Sequence, residues 1–132
     1  STVTRRCLLD ARVAAFERRV LAQPSWHAFY VWGAGRDGRA FANELCALDA
    51  RYAAGPARIA AMCDVDEAKL ARGEYHNAAT GLRLPVVPWR DAAPPVVCCV
   101  ALGRTDGAFE ANVASWAAAR GLREGRDYYF FN

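Results

Sequence analysis

The chain has 132 residues, 54% hydrophobic and 23% charged, with a net charge of +3. That length supports one domain with a core of its own and is short for two, and the composition is that of an ordinary globular domain. Acidic residues are spread among the basic ones, which argues against the basic stripe of a nucleic-acid binder, and no window reaches the roughly 18 apolar residues of a bilayer span.

Residues 5–21 place Leu9, Val13, Phe16 and Val20 at helical spacing, with Leu8 and Leu21 widening the stripe, and Gln23, Pro24 and Ser25 end the pattern. Residues 1–25 are therefore expected to form an N-terminal helix and linker, and residues 26–132 the main domain. Residues 26–32, rich in aromatic and β-branched side chains, predict a first strand, with His27 inside it. A helix is expected over 37–48, a second strand over 58–63, and a short helix or turn over 66–70. Residues 77–84 are polar and read as a surface excursion. Residues 85–88 lie between two prolines, as an edge strand would. The link 89–95 is too short and proline-rich for a crossover helix. Residues 96–102 are apolar throughout, as a strand buried on both faces should be. A helix over 108–120 stopped by Gly121 and a last strand over 127–131 complete the chain.

The transition from the first strand to its helix carries Gly33, Gly35 and Gly38 in a Gly-x-Gly-x-x-Gly array. The first glycine permits a tight turn, the second admits a ligand to the main chain, and the third lets helix and strand pack closely. Strands alternating with helices then predict an α/β, Rossmann-like three-layer domain. Its parallel sheet should have about five strands in the order 3-2-1-4-5, with an extra N-terminal helix. A second glycine-containing loop, with Gly103, Arg104 and Gly107, is expected to open onto the same crevice between strands 1 and 4.

Asp64 closes the second strand, where a carboxylate either accepts a ribose hydroxyl pair or caps the following turn. Arg36 and Arg39 flank the glycine turn and are placed for phosphate oxygens, whereas Asp37 between them repels a diphosphate. Asp64 and Asp66 form an Asp-x-Asp pair of the kind that holds a divalent metal, but the chain is short for the catalytic domains that use one, so no metal is expected. His27 and His76 lack partners for a nucleophilic site and read as a core or edge histidine and a solvated one. Trp26, Trp32, Trp89 and Trp116 read as packing groups. The candidate cofactor-binding residues are Gly33, Gly35, Arg36, Gly38, Asp64, Gly103 and Arg104, and no catalytic constellation is evident.

The five cysteines, at positions 7, 46, 63, 98 and 99, are odd in number and include no Cys-x-x-Cys pair. They read as free buried thiols of a reducing, cytoplasmic compartment. No signal-peptide pattern is present; the sequence opens on Ser1 without an initiator Met, so a piece of a longer protein or a processed form is expected.

Residues 31–39, then Cys63, Asp64, Val65, Asp66 and Glu67, then 94–102, then 107–112 and finally Gly125, Arg126, Asp127 and Tyr128 carry a resemblance. Together they resemble the C-terminal region of family-2 glycosyltransferases of the beta-1,3-N-acetylglucosaminyltransferase-like type, linked to glycosylation of queuosine in tRNA. The resemblance covers roughly residues 26–132. It implies an accessory Rossmann-like domain whose partner is an N-terminal catalytic domain absent from this chain. The ligand it implies is a nucleotide-sugar or another nucleotide. The glycine-to-aspartate layout is also similar to nucleotide-sugar-binding modules of bacterial sugar acyltransferases and to C-terminal modules of sugar C-methyltransferases. Two other readings are open: an NAD(P)-binding oxidoreductase-type module, and an interaction domain with a vestigial pocket that docks through its N-terminal helix and aromatic last strand. The isolated chain is expected not to be catalytic and not to bind nucleic acid directly.

Overall fold

A computed structural model of the chain describes residues 2–53, 58–99 and 107–131, with side chains from Leu8 onward. Among these residues, four α-helices and six strands follow one another as α1 (Thr2–Phe16), β1 (Phe29–Trp32), α2 (Arg36–Leu48), β2 (Ile59–Asp64), α3 (Glu67–Arg72), β3 (Glu74–His76), β4 (Arg83–Pro88), β5 (Val96–Cys98), α4 (Ala108–Arg120) and β6 (Tyr128–Phe130). The fold is α/β. The six strands form one sheet in the order β3-β4-β2-β1-β5-β6, parallel except for the β3–β4 pair.

The sheet therefore differs from the expected five strands in order 3-2-1-4-5. The added strand is β3, and it makes β4 an interior strand where the sequence reading put an edge. The difference has a local cause. Gly73, at φ 68°, ends α3 in the left-handed conformation that glycine adopts most readily, and Gly81, at φ 79°, helps reverse the chain between β3 and β4. The region read as a surface excursion thus contains part of a hairpin. Its outer strand is three residues long, with exposed Glu74 and His76 around half-buried Tyr75, a pattern too short to declare a strand in the sequence. Among themselves, the five expected strands follow the expected spatial sequence, β4-β2-β1-β5-β6.

The helices cover both faces of the sheet. Val13 and Phe16 of α1 and Phe41 and Leu45 of α2 share one core with Phe29, Val31, Ile59, Met62 and Val97. Phe109, Val113 and Trp116 of α4 share the other with Trp32, Cys63, Val96 and Cys98. Alternation along β1 sends Val31 to the first core and Trp32 to the second, as the two-residue strand period requires. Each fully buried large apolar side chain stabilises the fold by about 1.5–3 kcal/mol. Trp32 stacks on Trp89 at 5.3 Å and meets Phe109 and Trp116 edge-on at 5.6 Å, and the Trp116 indole N–H donates to the Ala92 carbonyl at 3.1 Å. These tryptophans are packing groups.

The N-terminal segment belongs to the same core. Helix α1 continues into a wider turn over Glu17–Leu21, which turns Val20 and Leu21 inward, and Gln23 takes the extended conformation imposed by Pro24. Arg58, just before β2, binds this region. Its guanidinium donates to the carbonyls of Leu21, Trp26 and His27 at 2.6, 3.0 and 2.9 Å and lies 4.4 Å from the centre of the Tyr52 ring. Trp26 sits in a short 3-10 turn over Pro24–Trp26, so β1 starts three residues later than expected and His27 is an exposed turn residue outside the strand. Val13 and Phe16 are buried and Leu9 packs against the core, so these residues do not form the exposed patch that an N-terminal docking helix needs.

Among the described residues, no helix is long and apolar enough to cross a membrane.

Candidate functional site

The glycine turn leaves the C-terminal end of β1, which lies between β2 and β5. From β1 the chain passes to β2 and β4 on one side and only then to β5 on the other. The carboxyl ends of β1 and β5 therefore flank the point where strand order reverses, the usual ligand position in open parallel sheets. Gly33 is buried at φ 113°, a region nearly closed to other residues, and its N–H donates to the Cys63 carbonyl at 2.8 Å. Gly35 precedes α2 in extended conformation, and no side chain caps the helix start. A Cβ on Gly35 would lie 3.7 Å from the Lys69 Nζ, an ordinary contact, so space alone does not demand glycine here. Gly38 has a different role. A Cβ on it would overlap the Gly33 carbonyl oxygen, come within 2.8 Å of the Gly33 carbonyl carbon and 3.4 Å of Met62 Cε. Only glycine lets α2 sit this close to the turn.

Asp64 ties that turn to β2. Its Oδ2 accepts the Ala34 N–H at 2.8 Å, while its Oδ1 accepts the N–H groups of Val65 and Asp66 at 2.7 and 3.0 Å. The carboxylate thus holds the glycine turn with one oxygen and caps its own turn with the other. Asp66 is also engaged: Oδ1 accepts the N–H groups of Ala68 and Lys69 at 2.9 and 3.2 Å, which starts α3. These amide bonds lower the Asp66 pKa below its ordinary value, with a smaller contribution from the Lys69 charge. Both carboxylates of the Asp-x-Asp pair serve the backbone, and among the described residues no group of three or more His, Cys, Asp or Glu side chains is placed to hold a metal ion.

Beside the turn lies a cavity of about 260 Å³ bounded by Ala34 of the turn, Arg39 of α2, Lys69 and Arg72 of α3, and Tyr75 and His76 of β3, with Glu74 and Val86 completing its wall. Three cations from two helices converge on it. Lys69 and Arg72 are three residues apart and share a helix face. Arg39 is steadied by donation from its Nε to the Gly35 carbonyl at 3.2 Å and lies 5.9 Å from the centre of the Tyr75 ring. The Tyr75 hydroxyl accepts from Asn43 Nδ2 at 2.9 Å, and Asn43 Oδ1 accepts from Asn77 Nδ2 at 3.1 Å. Two carboxylates lie nearby. Glu74 pairs with Arg83 at 2.6 Å, and Asp66 meets Lys69 at 3.6 Å. Among the described residues neither Arg39 nor Arg72 forms an ion pair.

Of the residues expected to bind a ligand, the fold brings Gly33, Gly35, Gly38 and Asp64 together at the turn. Arg36 is exposed on the first turn of α2 and does not line the cavity, and Asp37 is exposed beside it. Gly103 and Arg104 lie outside the described residues; Gly107, at φ 82°, immediately precedes α4. The reading of the sequence missed the cavity's α3 and β3 groups, Lys69, Arg72 and Tyr75; His76, read as a solvated residue, is exposed and lies at the cavity's edge. The one available signal was the spacing of Lys69 and Arg72 on a helix that follows the Asp64 strand end. Among the described side chains the cysteines give no nucleophile: burial raises the pKa of Cys63, Cys98 and Cys99 well above the usual thiol value and that of Cys46 to about 11, so these four are neutral thiols at physiological pH.

No protein-family model matches the chain, and no solved structure matches it.

Proposed function

We propose that this chain is a Rossmann-like accessory domain of a glycosyltransferase that binds a nucleotide or nucleotide-sugar at the glycine turn, with glycosyl transfer carried by a separate N-terminal catalytic domain in the cytoplasm. The observation that carries the binding part is the juxtaposition of an α2 start without a side-chain cap, at the carboxyl end of β1, and three cations around the cavity beside it. The glycosyltransferase part rests on the sequence resemblance. The engagement of Asp64 with three backbone amides favours a ligand held mainly through phosphate over one held through a ribose diol.

Thermal unfolding with UDP-sugars, NAD(H) and S-adenosylmethionine tests the proposal. A ligand that binds only the folded chain stabilises it by about 3 kcal/mol at a hundredfold excess over its dissociation constant. A UDP-sugar is expected to raise the melting temperature. If none of these compounds shifts it at millimolar concentration, the turn serves packing alone and the nucleotide proposal falls.

A further inference from the structure

We infer that the cavity beside the glycine turn is a site for a phosphomonoester, with Arg39, Lys69 and Arg72 as its anion-binding groups. The inference deepens the proposed function by naming the group that the cations take, and it does not require a diphosphate on the turn itself.

Charge is the first argument. Arg39, Lys69 and Arg72 approach one cavity from two helices, and like charges repel until an anion enters. The fold compensates this charge in part only. Glu74, on the cavity wall, is paired with Arg83, and Asp66 stands 3.6 Å from Lys69 while already accepting two amide protons. Geometry is the second argument. Arg39 is held between the Gly35 carbonyl and the Tyr75 ring, and Tyr75 is fixed by Asn43, so part of the ordering of this site precedes binding. The number of donors decides between anions. A phosphomonoester offers three terminal oxygens to three cations, where a carboxylate offers two, and it carries about two negative charges near neutral pH. Volume is the last argument. About 260 Å³ is below the roughly 300–1,000 Å³ typical of sites for drug-sized ligands, and suits a phosphate with one attached sugar ring better than a whole dinucleotide.

Isothermal titration with ribose 5-phosphate, with inorganic phosphate and with a UDP-sugar tests this, at constant ionic strength and near pH 8, above a phosphomonoester's second pKa of about 6. The proteins are the wild type, Lys69→Gln, Arg72→Gln and, as an exposed control outside the cavity, Arg18→Gln; unliganded melting temperatures establish that each is folded. Ribose 5-phosphate is expected to bind the wild type and the control alike, and each cavity variant roughly tenfold more weakly, in line with the loss of one charge-assisted hydrogen bond. Inorganic phosphate should bind more weakly than the ester; equal affinity overturns the ester and leaves a free-phosphate site. Unchanged binding in both cavity variants, or no phosphate binding at about ten millimolar to the wild type, overturns the inference. The UDP-sugar arm separates the two readings. UDP-sugar binding without ribose 5-phosphate binding removes the cavity site and keeps the turn. Ribose 5-phosphate binding lost in the variants, with no UDP-sugar binding in any protein, keeps the cavity and removes the nucleotide proposal.

Discussion

The glycine turn and the cavity next to it share a wall, yet they use their polar groups in opposite ways. In the turn, the Gly33 N–H is satisfied by Cys63, the Ala34 N–H by Asp64, and the Asp64 carboxylate by three amides. In the cavity, two arginines have no ion-pair partner among the described residues and the lysine has only a distant one. Groups satisfied within the fold in this way act as a joint of it. Unbalanced charge held in place by the fold is where a ligand contributes energy. Changes in the turn should therefore act on stability first, and changes in the cavity on binding alone.

The largest effect is expected from Gly38→Ala. The added methyl would overlap the Gly33 carbonyl oxygen, and that atom belongs to a turn that cannot move without breaking the bond to Cys63. Overpacking of a well-filled site costs about 1–3 kcal/mol and more where backbone must shift, so a loss of about 3 kcal/mol or more is expected in urea unfolding. A loss below about 0.5 kcal/mol would show that α2 is free to slide and that the turn is no joint. Asp64→Asn comes next. The amide can accept from Val65 and Asp66, but its NH₂ then faces the Ala34 N–H, donor against donor, at an expected cost of about 2 kcal/mol. Ribose 5-phosphate affinity should stay within about twofold of the wild type in the folded variant. A large loss of binding with unchanged stability would move Asp64 from the joint to the site.

The same contrast explains what the sequence disclosed. The turn was legible because its demands are local: three glycines at fixed offsets after an apolar strand leave few alternatives, and helices 36–48 and 108–120 follow their apolar periodicity. The α2 boundary missed by one residue. Strand β3 was not legible, because three residues with one half-buried tyrosine give no alternation to count. The start of β1 was misplaced because Trp26 and Phe29 are both buried aromatics, while the turn that separates them is stabilised by Arg58, about thirty residues later in the chain. The cavity was invisible for the same reason as β3. Lys69 and Arg72 meet Arg39 only because α3 and the hairpin fold back beside α2, and no spacing within the chain encodes that approach.

The smallest effect is expected at Asp66, which belongs to both regions. Its carboxylate caps α3 through the Ala68 and Lys69 amides and also faces the Lys69 ammonium. Asparagine caps a helix about as well as aspartate, so Asp66→Asn should leave stability at neutral pH nearly unchanged. The amide bonds hold the Asp66 carboxyl below its ordinary pKa of 3.8. The stability it contributes is therefore present in full above the unfolded value and lost as pH falls through the lower folded value. Any advantage of the wild type over the variant should fade in that acid range, a trend that unfolding from pH 7 down to about pH 2 would measure. Binding should move the other way. Without its competing carboxylate, Lys69 is released toward the cavity, and ribose 5-phosphate should bind about threefold more tightly to Asp66→Asn. Weaker binding would mean that Asp66 orients Lys69 instead of competing for it, and the boundary between joint and site would then run through α3.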